Sequence, residues 1–300
     1  MGLMHAFARA APRSVVAVAT FDHGTGPAAT AAARMVRVSA TELGFQAVVG
    51  HAAVPGANEA EWRDARRQFL RGVADRFDGR IATAHTRDDQ VETVLIRVLR
   101  DSGARGLAGL YAESEMIRPL LDFSRAQVAS YAQAAGVQWV DDPTNASPQF
   151  LRNRVRRDLL PALTAMRPEL PAALLGLARR AATWRRSLDE LTAGTVLLRA
   201  DGSSLAVATS DLSAYSRSEL AVLWPALAAR VGLAMDWRGT ERAVAFTNRS
   251  RPGARIQLSG GWEIARSRDS FELRRWRPGN GEGGQGKGLT AGPGTGEGNG

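Results

Sequence analysis

Residues 83–110 read TAHTRDDQVETVLIRVLRDSGARGLAGL, and two hydrophobic periods meet inside them. The run RIATA at 80–84 predicts a strand. From about Asp88 to Arg100 the spacing is that of an amphipathic helix, with Leu95, Val98 and Leu99 on its buried side. His85 is therefore expected at the carboxyl end of a strand. Asp88, Asp89 and Glu92 follow in the first turn of the helix, where the backbone dipole favours carboxylates, and three-residue spacing puts Asp89 and Glu92 on one face. Acidic residues at a helix start are also common caps and a lone histidine is more often structural, so the cluster alone leaves function open. Upstream, 15–20 (VVAVAT) and 46–50 predict strands and 27–43 a helix; 58–77 predicts a long charged helix with Asn58 as its N-cap. This alternation predicts an α/β fold, a parallel sheet with helices on both faces, in which ligands lie beyond the carboxyl ends of the strands.

Composition narrows the partners. The 300 residues hold 39 Lys+Arg against 30 Asp+Glu, a formal charge of +9, and Lys287 is the only lysine. Arginine forks suit phosphate and stack on bases, which favours a polyanionic partner, although a GC-rich genome also writes arginine for lysine. Cysteine is absent, which excludes disulfides, Cys-ligated zinc, iron–sulfur clusters and a cysteine nucleophile, and fits a cytoplasmic location. No run approaches the ~18 to 20 apolar residues of a membrane span, and residues 1–14 lack the basic leader and apolar core of a secretion signal.

Beyond Pro161 the pattern changes. Residues 168–199 form a long Ala/Leu/Arg helical stretch, and 219–231 and 239–246 also read as helices. The runs 255–259, 262–266 and 271–275 alternate like strands, with Gly260 and Gly261 turning a hairpin. The expected organisation is a catalytic domain over 1–165, a smaller, mostly helical domain with a small β element over 166–277, and a Gly-rich disordered tail over 278–300. Trp184, Trp224 and Trp237 are expected in the core.

Several ordered motifs resemble the tRNA(Ile)-lysidine synthetases. Ala84, His85, Asp88, Asp89, Gln90, Glu92 and Thr93 match the AHxxDDQxET segment of that family. Arg100, Gly103, Gly106, Leu107 and Gly109 match the Gly-rich turn after it, with Asp101 where a glycine is usual. Residues 117–121 match IRPLL, and Asp142, Thr144 and Asn145 match D-x-[ST]-N. Arg152, Asn153 and Arg156, with Leu160 and Pro161 after them, match RNxxR…LP. Asp22, His23 and Gly24 fit DHG, and Arg63 and Arg66 fit AR-x-x-RY, with Arg67 in place of the tyrosine. The family's SGGxDS loop, which cradles ATP phosphates, occurs nowhere in the 300 residues, and residues 1–7 look like the helix that follows it. The fold implied is that of a PP-loop ATPase lacking its first strand. The expectation is a start placed too far downstream rather than a decayed gene.

The resemblance implies a ligase. Such enzymes adenylate the C2 oxygen of the wobble cytidine of an isoleucine tRNA with a CAU anticodon, and free lysine then displaces AMP to leave lysidine. ATP is the implied co-substrate, with Mg2+ inferred from its use; lysine and tRNA are the implied partners, and a homodimer is compatible with the reading. Asp89 and Glu92 are the candidates for lysine contacts and for taking the amine's proton. His85 is placed at the site, and Asn145 and Arg156 are expected near the reacting groups. Arg63, Arg105 and Arg156 are candidates for ATP phosphates; the Arg105 loop is otherwise a helix-terminal turn. Arg152 and Arg154 are candidates for the tRNA backbone, or simply partners of Asp158. Arg179, Arg180, Arg185 and Arg186 are candidates for tRNA phosphates, or else a solvated helix face. The alternatives are another PP-loop enzyme, such as a tRNA thiolase, against which the missing cysteines count, and a catalytically inactive homologue that only binds tRNA.

Overall fold

The computed structural model describes residues 1–24, 26–52, 59–139, 149–193, 197–198 and 203–276. The chain divides into two compact units, Met1–Gly194 and Thr195–Gly300.

In the first unit, helix α1 (Gly2–Ala10) leads to strand β1 (Val18–Asp22), helix α2 (Pro27–Glu42) and strand β2 (Ala47–His51). β1 and β2 pair in parallel, with Val18 opposite Ala47 and Asp22 opposite His51. The DHG segment ends β1. Asp22 accepts hydrogen bonds from the Gly24 amide at 2.9 Å and the Thr30 hydroxyl at 2.8 Å, which tie the strand end to α2. Helix α3 (Glu59–Arg76) then leads to β3 (Ile81–Ala82) and α4 (Arg87–Leu99). The short helix α5 (Ala104–Leu107), strand β4 (Met116–Ile117) and helix α6 (Arg125–Ala134) follow, and β4 pairs in parallel with β3. The Asn58 cap and the 142–145 motif lie outside the described residues.

The expected parallel sheet is present only as two separate pairs. Among the described residues no ladder joins β1–β2 to β3–β4, although α3 packs on both β1 and β3. β3 and β4 are only two residues long; Pro119, which has no amide hydrogen to donate, closes off β4.

Helices α7 (Leu151–Arg154) and α8 (Leu160–Met166) are joined by a π-helical turn, Val155–Leu159, and lead to α9 (Leu170–Leu191). Val91, Val94 and Leu95 of α4 form one apolar cluster with Val155 and with Leu174, Leu175 and Ala178 of α9. The long arginine-rich helix therefore belongs to the first unit, and the division falls after residue 194 rather than at 165. Val98 and Leu99, expected inside, are 47% and 53% exposed because the apolar contact with α9 runs through the earlier turns of α4.

The second unit is not mostly helical. Strands β5 (Leu197–Leu198), β6 (Ser204–Ala208), β7 (Arg255–Leu258), β8 (Trp262–Arg266) and β9 (Ser270–Arg275) form one antiparallel sheet in the order β5-β6-β9-β8-β7. Helices α10 (Thr209–Ser213), α11 (Arg217–Ala229) and α12 (Trp237–Arg249) complete the unit. The β7–β8 hairpin turns at Gly260 and Gly261, whose φ values of 72° and 73° suit glycine pairs in tight turns. Trp224 is fully buried, edge-on to Phe271, and its indole N–H donates to Thr247 Oγ1 at 2.9 Å. Trp184 and Trp237, in contrast, are exposed.

Candidate active site

The site is assembled where β3 hands over to α4. The Thr83 amide donates to the Ile117 carbonyl at 3.0 Å, continuing the β3–β4 pairing, and Thr83 Oγ1 lies 2.9 Å from His85 Nδ1. His85 is half-buried. Burial lowers its pKa, Asp89 pulls the other way, and Arg118, Arg152 and Arg66 push it down again, so the imidazole is neutral at pH 7.

Thr86 then starts α4. Asp89 Oδ2 accepts both the Thr86 amide and the Thr86 hydroxyl at 2.8 Å, closing a capping box that locks the carboxylate's orientation. This leaves Oδ1 for the interior, where three guanidiniums meet it: Arg152 at 3.1 Å, Arg125 at 3.3 Å and Arg156 at 3.3 Å. Glu92, one turn on and only 1% exposed, is held by the same three. Its Oε1 takes Arg156 Nε at 2.7 Å and Arg125 Nη2 at 3.1 Å; its Oε2 takes Arg152 Nε at 2.9 Å and Arg156 Nη2 at 3.0 Å.

Three elements supply these arginines. Arg152 of α7 and Arg156 of the π turn stand four residues apart and so share a face, while Arg125 opens α6. Ser124 and Gln127 form the capping box of α6, and Asp88 Oδ2 accepts the Arg125 amide at 2.7 Å, so the starts of α4 and α6 are pinned together. Burial raises the pKa of both Asp89 and Glu92. The Thr86 bonds with Arg152 and Arg125 at Asp89, and Arg156 with Arg152 at Glu92, outweigh it, and both carboxyls ionise below their usual range. Arg156 is correspondingly raised, chiefly by its bonds to Glu92. Two carboxylates against three guanidiniums leave the cluster with one excess positive charge.

The neighbouring motif residues are scaffolding. Gln90 is wholly buried; its Nε2 donates to the Ala108 carbonyl at 3.0 Å and its Oε1 accepts the Leu110 amide at 2.6 Å. Gly109, at φ +61°, makes this possible, since a Cβ there would sit 2.5 Å from Gln90 Oε1. Asp101, at φ +51°, holds a left-handed conformation that glycine adopts with less strain.

The structure brings His85, Asp89, Glu92, Arg152 and Arg156 together and adds Arg125, which sequence reasoning missed; the S-x-x-Q cap before it was the available signal. Arg152 points to the acids and not to Asp158. The other expected residues lie elsewhere. Arg105 forks onto Asp189 of α9 at 2.7 Å and 3.0 Å, Arg63 and Arg154 are exposed on α3 and α7, and Asn145 is outside the described residues. On α9, Arg186 meets Glu113 at 3.1 Å, Arg185 meets Asp189 at 3.8 Å and Arg179 meets Asp122 at 3.9 Å. Arg180 is the one of the four with no acidic partner among the described residues. No group of three or more potential metal ligands occurs among the described residues, and no helix there is long and apolar enough to cross a membrane.

Comparison with known proteins gives the family. A family model described as a PP-loop domain matches residues 1–163. A tRNA(Ile)-lysidine synthase of Salinispora tropica is 38% identical over 276 residues, covering 87% of this chain and 80% of the relative. The chain belongs to the tRNA(Ile)-lysidine synthase family. Relatives of the same name from Burkholderia pseudomallei and Solibacter usitatus are 36% and 35% identical over 74% and 86% of this chain. The chain spans 46% and 63% of the lengths of those two. Within residues 86–92 of this chain two tasks are separable. Asp89 and Glu92 carry the charge, whereas Thr86, Asp88 and Gln90 fix the backbone that presents it.

Proposed function

We propose that the chain acts in a ligase that joins free lysine to C2 of the wobble cytidine of an isoleucine tRNA with a CAU anticodon, using ATP with its Mg2+. The cytidine O2 attacks the α-phosphorus, a P–O bond forms, and pyrophosphate leaves. The lysine ε-amine then attacks C2, the C2–O bond breaks, and AMP leaves with the O2 oxygen. The observation that carries this reading is the ionised Asp89–Glu92 pair at the end of β3, ringed by Arg125, Arg152 and Arg156.

Glu92 is enclosed and serves as the anchor of the arginines, while Asp89 is the acid that a substrate can reach. An ammonium can bind Asp89 only if a guanidinium releases it. A nucleotide phosphate supplies the anion that draws one away, so ATP binds first and lysine second. Departure of a guanidinium lets the Asp89 carboxyl rise back toward its ordinary range, where it takes the proton the amine must lose, and Arg156, anchored on Glu92, faces the phosphate charge that develops as AMP leaves. His85, neutral, accepts or donates a hydrogen bond beside this centre. Arg63, exposed on α3, is a candidate phosphate contact, and Asn145 a group near the reacting atoms. For tRNA, Arg154 and Arg180 are the candidates that are exposed and have no acidic partner among the described residues; Arg179 and Arg186 are exposed as well but face Asp122 and Glu113. A homodimer is a further part of this reading, read out by light scattering.

The unjoined strand pairs among the described residues favour a second reading, an inactive homologue that binds tRNA without modifying it. Incubation with ATP, labelled lysine and the CAU-anticodon tRNA decides between them, using both this chain and a version with an SGGxDS strand and loop joined ahead of Met1. Label in tRNA with either version supports the ligase. Tight tRNA binding with no label from either supports the inactive binder and removes the proposal.

A further inference from the structure

Beside β4 lies a cleft of about 520 Å³ whose lining includes Arg80, Tyr111, Glu113, Ser114 and Arg118. It is separate from the acid–arginine cluster, and none of its residues belongs to that cluster. Arg118 holds it in shape: Nη1 donates to the Leu110 carbonyl at 3.0 Å. Its Nε–H, however, is shielded from solvent with no hydrogen-bond partner, and so is the Tyr111 hydroxyl. A buried donor without a partner costs about 1–3 kcal/mol, more when charged, so each of these groups calls for an acceptor that the chain itself does not supply, a water or an anion. The nearby carboxylates are already taken, Glu113 by Arg186 at 3.1 Å and Glu115 by Arg71 at 2.7 Å.

We infer that this cleft is a second anion site, which takes a phosphate group of the RNA backbone between Arg118, Arg80 and the Tyr111 hydroxyl. Local electrostatics agree. Burial foremost, then Arg67 and Arg63 on α3, depress the pKa of Arg118, so like charges crowd it. A phosphate is the ligand that satisfies a bidentate fork and a hydroxyl donor together. The choice of RNA over free phosphate rests on the proposed tRNA substrate; the site itself does not.

The test follows the Nε–H resonance of Arg118 in the full chain labelled with 15N-arginine, identified by its absence from Arg118→Lys. Inorganic phosphate is titrated at constant ionic strength against chloride, and the CAU-anticodon tRNA is titrated separately. A saturable shift with phosphate and with tRNA, absent with chloride, is the expected result. Arg80→Ala and Tyr111→Phe, which leave the Arg118–Leu110 brace intact, each weaken phosphate binding about threefold to tenfold. For tRNA, Arg80→Ala lowers the salt slope of binding by about one. A shift with phosphate alone assigns the site to a small phosphate ligand and overturns the RNA assignment. No saturable shift with either overturns the site. Because the readout is binding, a failure of lysine incorporation leaves this result standing.

Discussion

In the second unit the large side chains most completely sealed from solvent are apolar: Trp224, Phe271, Leu205, Leu212, Leu220, Leu227, Ile264 and Leu273. In the first unit Gln90 and Glu92 are sealed just as completely, next to Val94 on the same helix. The first kind of core is non-directional and depends on volume. The second depends on each donor finding one acceptor, and it fixes where charge sits. The difference teaches where chemistry is held: the unit with a continuous five-stranded sheet packs, while the unit with two short strand pairs positions.

The largest way to probe that contrast is Trp224→Ala. It leaves a void and removes the indole N–H that Thr247 Oγ1 accepts, while that hydroxyl still donates to the Ala243 carbonyl, and it should cost about 3–5 kcal/mol in the second unit. Urea melts followed by hydrogen exchange should show α11 and α12 losing protection while α4 keeps its own; equal losses in both units would erase the distinction. Next, Glu92→Ala leaves three guanidiniums sharing Asp89. Since they are partly exposed and screened, the expected loss is about 2–3 kcal/mol, below that of a fully buried pair. Thermal melts measure it, and Glu92→Gln should recover part of the hydrogen bonding but none of the charge.

Gly109→Ala must both adopt φ +61° and push Gln90 aside, at about 1–3 kcal/mol. Acid should also separate the units. Asp89 and Glu92 have folded pKa values below the unfolded ones, so their contribution is complete above the unfolded carboxyl values of about 4. It is lost as pH falls through the folded values. Stability of the first unit should therefore drop as pH falls below about 4, with a shallower slope in Glu92→Gln. The smallest effect is a gain: Asp101→Gly relieves a left-handed residue and should stabilise the first unit by about 0.5–1 kcal/mol.

Helices α2 and α4 were legible because their apolar period runs unbroken for several turns, and the β7–β8 hairpin because two glycines can mark nothing else so cheaply. β4, two residues long, carries no period to read. β5 and β6 are short runs whose strand character depends on pairing, β5 with β6 and β6 with β9. The apolar face of α9 was visible, but only its contact with α4 assigns the helix to the first unit. At the site, Asp89, Glu92 and Arg156 could be read from motif spacing. Arg125 could not, since it joins the acids only through the fold of α6 back onto the start of α4. The local pattern around Arg105 and the α9 arginines suggested phosphate, and it gave no hint that Asp189 and Glu113 stand opposite.

The account turns on Asp89 as the acid that receives the lysine amine after a nucleotide has drawn a guanidinium away. The direct measurement is the lysine dependence of label incorporation into tRNA by Asp89→Asn, in whichever version of the chain is active. Asparagine can keep the Thr86 cap but carries no charge. The account predicts a KM for lysine raised at least about tenfold, the loss of one charge-assisted contact, with ATP bound as tightly or more tightly because a guanidinium is no longer held by Asp89. An unchanged KM and rate in Asp89→Asn would contradict it.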